Sequence, residues 1–120
     1  MIAIRIGEQE FSAALEDNDT ARAFAALLPM TLDMTELNGN EKYHYLMGDL
    51  PNAPEQVGRV EAGDLMLFGG NCVVLFYESF STPYTYTRLG RVTDQAGLKA
   101  ALGNGNVQVL FSAGELCHKA

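Results

Sequence analysis

Ile2, Ile4 and Ile6 alternate with Ala3 and Arg5, and Phe11, Ala13 and Leu15 alternate with Ser12, Ala14 and Glu16. A period of two puts one side of each segment in a core, so the spacing predicts a pair of strands. Gly7-Glu8-Gln9 between them can turn. The period then lengthens. Ala21, Phe24, Leu27 and Leu28 fall on one face of a helix, Asn18 or Asp19 can cap its first turn, and Pro29 stops it at Leu28. Leu32 and Met34 alternate with Asp33 and Thr35, which predicts another strand, and Asn38-Gly39-Asn40 is a turn signal. Glu41 to Leu46 fits a short strand or a loop, and Met47 to Gly58, with two prolines, reads as an irregular surface connection.

The second half repeats this logic. Leu65 to Phe68 and Cys72 to Tyr77 flank Gly69-Gly70-Asn71, whose residues tolerate the positive φ of a tight hairpin. The second arm is apolar throughout, so both of its faces should be covered. Leu89 to Val92 predicts a further strand. Asp94 can cap a helix with Leu98, Ala101 and Leu102 on one face, weakened by Gly97 and ended by Gly103. Asn106 to Ser112 predicts the last strand. The inventory is mainly β, with two short helices, and many strands in a small chain hide their edges best by closing into a barrel whose ends the helices cover.

Composition narrows the function classes. At 120 residues the chain is expected to be one domain over 1–120, and 48% hydrophobic against 19% charged residues is globular. A net charge of −7 with no Lys/Arg cluster disfavours nucleic acid. No apolar run reaches the roughly 18 residues of a membrane span, and the N-terminus lacks the pattern of a signal peptide, so a cytoplasmic protein is expected, without a membrane partner. Cys72 and Cys117 read as free thiols, with Cys72 a small buried hydrophobe. His44 and His118 share no paired spacing with the cysteines, so neither a metal nor a cofactor is expected. Gly103-Asn104-Gly105-Asn106 precedes a strand and so cannot form the usual phosphate cradle.

Three short motifs, in order, resemble the cyclophilins: Thr20 to Leu27 resembles the first helix of that family, Gly63-Asp64-Leu65-Met66 a strand start, and Leu89-Gly90-Arg91-Val92 its F-G-[KR]-V segment. The segments N-G-N-E-K-Y at 38–43, G-D-L-M-L-F-G at 63–69 and S-F-S-T-P-Y-T-Y-T-R-L-G-R at 79–91 are similar to those of small bacterial cyclophilin-like proteins of uncertain function. The resemblance implies a closed cyclophilin-like β-barrel with two short helices. It does not carry over a catalytic residue. Between Leu32 and Gly63 there is no F-H-R segment to supply the proline-isomerising Arg, and the family's Q-F-F pocket segment appears only as Val74-Leu75-Phe76.

The candidate site is therefore a binding surface. In strand geometry Tyr84, Tyr86 and Arg88 share one face and Thr85, Thr87 and Leu89 the other. Phe80 to Pro83 reads as a loop. Phe76, Phe80, Tyr84, Tyr86 and Arg88, with Tyr43 and Tyr45 as a second wall, are expected to present an aromatic groove to a peptide segment or small molecule, without efficient catalysis. The alternatives are a peptidyl-prolyl cis-trans isomerase with a relocated Arg, and a homo-oligomer contact on the same rings. His44 has no nucleophile tied to it and reads as solvated.

Overall fold

The computed structural model describes residues 1–113; the tail, with Cys117 and His118, lies outside the described residues. The elements run β1 (Ile2–Ile6), β2 (Gln9–Leu15), α1 (Asp19–Ala25), β3 (Met30–Leu37), β4 (Glu41–Tyr45), β5 (Glu55–Gln56), β6 (Arg59–Val60), β7 (Asp64–Phe68), β8 (Cys72–Phe76), β9 (Phe80–Ser81), β10 (Thr85–Val92), α2 (Leu98–Leu102) and β11 (Val107–Ser112). Eight strands close an antiparallel barrel in the order β2-β1-β11-β3-β4-β8-β7-β10, with β10 returning to β2. β5 adds to β10, and β6 and β9 form a separate two-stranded ribbon. The barrel and its two helices are the fold that the resemblance implied.

Closure depends on a glycine. Gly90 pairs with Leu15 where β10 meets β2. A Cβ there would press into the Ala14 carbonyl oxygen and sit 3.1 Å from the Leu15 Cα, so only hydrogen fits. Just before it, the register of β10 against β7 slips between Arg88 and Gly90, a bulge that helps the strand turn from one neighbour to the other.

Inside the barrel, Ile4, Phe24, Met34, Leu65, Leu67, Val73, Leu75, Leu89, Val109 and Phe111 belong to one core. α1 contributes Phe24, whose ring meets Phe111 edge-on at 5.6 Å. Asn18 rather than Asp19 caps α1, its Oδ1 accepting from the Ala21 amide at 2.7 Å. The helix is shorter than its pattern predicts. It gives way to a looser turn in which Leu27 and Leu28 donate to Phe24 and Ala25, and Leu27 is 45% exposed instead of joining the buried face. α2 is shorter too. Gly97, at φ 85°, sits at its N-cap, while Asp94 accepts from the Ala96 amide in a preceding turn and does not cap it. Left-handed backbone at Gly97 ends any helix that would start at Asp94. Leu98 and Leu102 still enter the core.

One charge lies deep in the structure. Lys42 on β4 is 0% exposed, and its ammonium donates to Glu36 Oε1 at 2.7 Å, the Gly103 carbonyl at 2.8 Å and the Gly105 carbonyl at 2.6 Å. Three donors meet three acceptors, so the ammonium is fully satisfied. Glu36 also accepts from the Tyr77 hydroxyl at 2.7 Å and the Gly39 amide at 2.7 Å. Burial raises the Glu36 carboxyl, but the hydrogen bonds from Lys42, Tyr77 and Gly39 outweigh it and hold it below the ordinary range. Burial, followed by the bond to Glu36, pushes the Tyr77 phenol up to about 12.

Two variants and one control test these fasteners. Lys42→Met leaves a carboxylate and two carbonyls short of a donor, and should lower the unfolding free energy in urea by about 3–5 kcal/mol. A loss under about 1 kcal/mol would mean that the ammonium is not needed. Gly90→Ala should cost about 1–3 kcal/mol by overpacking, whereas Gly105→Ala, which meets nothing within 4 Å, should cost much less.

Candidate functional site

β8 buries both faces, as its uninterrupted apolar run predicts, and β7 does so from Asp64 to Leu67. Leu65, Leu67, Val73 and Leu75 point into the barrel, while Met66, Cys72, Val74 and Phe76 point out and build a second cluster with Val60 and Tyr86. Register enforces this, since Met66 lies opposite Val74 and Phe68 opposite Cys72. The ribbon covers part of the cluster: Val60 pairs with Phe80, and Phe80, Tyr43 and Val57 pack against the outer residues.

The exposed part of this outer face is a cleft of about 400 Å³. A train of rings forms its floor and one side. Phe76 lies 5.7 Å from Phe80 and 5.5 Å from Tyr86, Tyr86 lies 5.6 Å from Phe68, and Phe68 lies 6.1 Å from Tyr84. The rings meet edge-on or tilted, as aromatic quadrupoles prefer. On β4, Tyr43 and Tyr45 pair edge-on at 5.7 Å and make the opposite wall. Tyr45 and Tyr84 are each 60% exposed and Phe68 is 43% exposed, so the rim offers open ring surface above a buried floor.

Of the seven residues expected from the sequence, the structure brings Tyr43, Tyr45, Phe80, Tyr84 and Tyr86 to the cleft lining. Phe76 lies beneath it, fully buried, because Phe80 and Tyr86 close over it. Arg88 shares the outward face but does not line the cleft; its Nε lies 3.5 Å from Glu55 Oε2. Phe80 belongs to a short strand, not a loop, held by pairing with Val60. The ambiguous segment at Glu41 is a strand, paired on both sides by β3 and β8. His44 is half-buried, with Nδ1 2.8 Å from the Asp33 carbonyl. A carbonyl only accepts, so that nitrogen carries the proton.

Sequence reasoning missed Phe68, Asn38 and Asn40, and left Glu41 of the candidate segment 41–45 out of the site, although all four line the cleft. Strand alternation could have found two of them: Phe68 follows Met66 at a spacing of two, and Glu41 precedes Tyr43 and Tyr45 in the same way. The Asn residues arrive through the turn after β3, where Asn38 takes φ 58° and Gly39 φ 70°. Asn40 Oδ1 is buried without a hydrogen-bond partner among the described residues.

Glu41 sets the electrostatics. Among the described residues its carboxyl makes no hydrogen bond or ion pair, and the lining contains no Lys, Arg or His. Burial, and then the Glu36 charge, push it up to about 7. Its charge in turn adds to burial in raising the Tyr86 phenol and in pushing the Cys72 thiol up to about 11. A thiol held protonated at neutral pH is a poor nucleophile. Among the described residues no three His, Cys, Asp or Glu side chains are grouped to hold a metal ion. Among the described residues no helix is long and apolar enough to cross a membrane.

Comparison with known proteins agrees with this architecture. A cyclophilin-like family model matches residues 4–112, and the chain belongs to that family. The solution structure of the hypothetical protein AF2241 from Archaeoglobus fulgidus is similar, with a TM-score of 0.63 at 21% identity, covering 94% of this chain and 93% of that one. At that identity the likeness speaks for the fold. No curated protein matches the chain.

The raised Glu41 carboxyl has a stability signature. An unfolded glutamate titrates near 4.5 and the folded one near 7, so the folded state holds its proton longer. The fold therefore loses stability as pH rises from about 4.5 through 7. Glu41→Gln should be more stable than the parent by about 1–3 kcal/mol at pH 8, and the gap should close near pH 4.5. Urea denaturation at both pH values reads this; equal stability at pH 8 would mean that the carboxyl is not strained.

Proposed function

We propose that this chain is a binding domain whose outer cleft holds a small molecule or a peptide segment against its rings, without efficient catalysis. The observation that carries this reading is the open aromatic rim, Tyr45, Tyr84 and Phe68, standing over a buried aromatic floor. Ring surface left exposed around a concavity is what ligands with apolar parts bury. The volume of about 400 Å³ lies at the small end of the roughly 300–1,000 Å³ typical of such sites.

A proline isomerase needs more than an apolar wall. The imide barrier of about 18–20 kcal/mol reflects amide resonance. A donor aimed at the imide nitrogen must weaken that resonance in the twisted state, and not merely hold the ground state. Arg88 stands outside the cleft beside Glu55, which supports binding over isomerisation.

A fragment and short-peptide screen read by amide chemical shifts tests the binding reading. Hits should perturb β4, β8 and β10 together. Tyr84→Ala and Tyr43→Ala should each weaken the best hit five- to tenfold, about 1 kcal/mol per lost ring contact. Unchanged affinity in both folded variants would move the site elsewhere. In a protease-coupled assay, turnover well above background that Arg88→Ala abolishes would favour the isomerase instead. Light scattering over a dilution series separates out a homo-oligomer contact, which would show as mass rising with concentration.

A further inference from the structure

The cleft has a charge character that the aromatic reading alone does not use. Among the described residues its lining holds one acidic side chain, Glu41, and no basic one. The nearby cations are turned away or engaged: Lys42, next to Glu41 in the chain, points inward and gives its hydrogens to Glu36 and two carbonyls, while Arg88 faces Glu55. The Glu41 carboxyl is left without a partner among the described residues. Around it stand ring faces, which are electron-rich, and the side chains of Asn38, Asn40 and Thr82, whose oxygens accept hydrogen bonds.

We propose that the cleft recognises an organic cation, an ammonium group on an apolar stem, with the charge paired to the Glu41 carboxylate and the stem held between Tyr43 and Tyr45 on one side and Phe68 and Tyr84 on the other. This rests on the binding reading above and names its ligand class. An anion would meet Glu41 unshielded in a protein of net charge −7. A cation supplies the one thing that the lining lacks, and ring quadrupoles add to the attraction once water is displaced. A free amine and a lysine side chain on a peptide share this chemistry.

Recognition of this kind depends on pH in a known direction. The groups that act on or respond to Glu41 are Glu36 on β3, Cys72 on β8, Tyr77 just after β8 and Tyr86 on β10, with Lys42 its neighbour on β4. Glu36 disfavours the carboxylate, and the thiol and the two phenols stay neutral at pH 6–8. Glu41 is then the group in this set that ionises over that range. A bound ammonium favours its ionised form, so affinity should rise with pH.

The test uses benzylamine and its neutral counterpart benzyl alcohol, with blocked lysine amide and its Nε-acetylated form as the peptide pair, titrated into the labelled chain. Each cation should bind at least tenfold more tightly than its neutral partner, shifting amides of β4, β8 and β10. Benzylamine affinity should rise about tenfold from pH 6 to pH 8, following ionisation of a group near 7. Glu41→Gln should weaken benzylamine about tenfold and flatten its pH profile. Binding by benzylamine alone assigns a free amine, and binding by the lysine amide alone assigns a peptide side chain; either supports the proposal. Neutral probes binding as well as their cations would overturn it and leave the broader binding reading standing. Cation binding with no pH slope in the parent chain would also overturn it, without recourse to a variant. If none of the four probes binds, the cation assignment falls, and the fragment screen decides the broader reading separately.

Discussion

The burial of one ammonium group organises this molecule. Lys42 draws together β3 through Glu36, β4 through its own backbone, and the loop between α2 and β11 through two carbonyls. A lone charge at that depth would be prohibitively costly, and it is tolerable because every hydrogen has an acceptor. The same contact fixes which way β4 faces. With Lys42 pointing inward, strand geometry sends Glu41, Tyr43 and Tyr45 outward, and all three line the cleft. The pair also reaches the site electrically: Lys42 helps keep Glu36 ionised, and the Glu36 charge helps raise Glu41. A structural fastener on one face of a strand thus tunes a carboxyl on the other.

The second organising fact is that β8, and β7 as far as Leu67, are covered on both sides. Inward residues complete the barrel core, and outward residues seed the cluster under the cleft. An antiparallel barrel usually leaves its outer face to water. Here the ribbon of β6 and β9 shelters part of that face, and the remainder stays open as ring surface.

Much of this was legible in the chain. The isoleucine alternation of β1, the glycine-rich turn between β7 and β8 and the apolar run of β8 each report a backbone requirement that local chemistry imposes, while the closed barrel is expected from the number of strands and from the family resemblance. Aromatic alternation also found most of the cleft wall. What local pattern could not show was depth. Nothing near Phe76 says that Phe80 and Tyr86 will cover it, since those contacts bridge separate strands. Nothing beside Lys42 announces its burial, because two of its three acceptors lie about 60 residues away. Arg88 reads as part of the groove because alternation specifies a face, not the distance along it. α2 came out short because a single left-handed glycine, Gly97, outweighs a favourable run.

The two apolar clusters are held by different parts of the fold. The inner cluster belongs to the closed ring of strands, whose hydrogen bonds leave no seam to unzip. The outer one leans on a ribbon of two short strands joined to nothing else by pairing. A change in the ribbon therefore acts first on the cover of the outer cluster, while the ring beneath is closed by its own pairing.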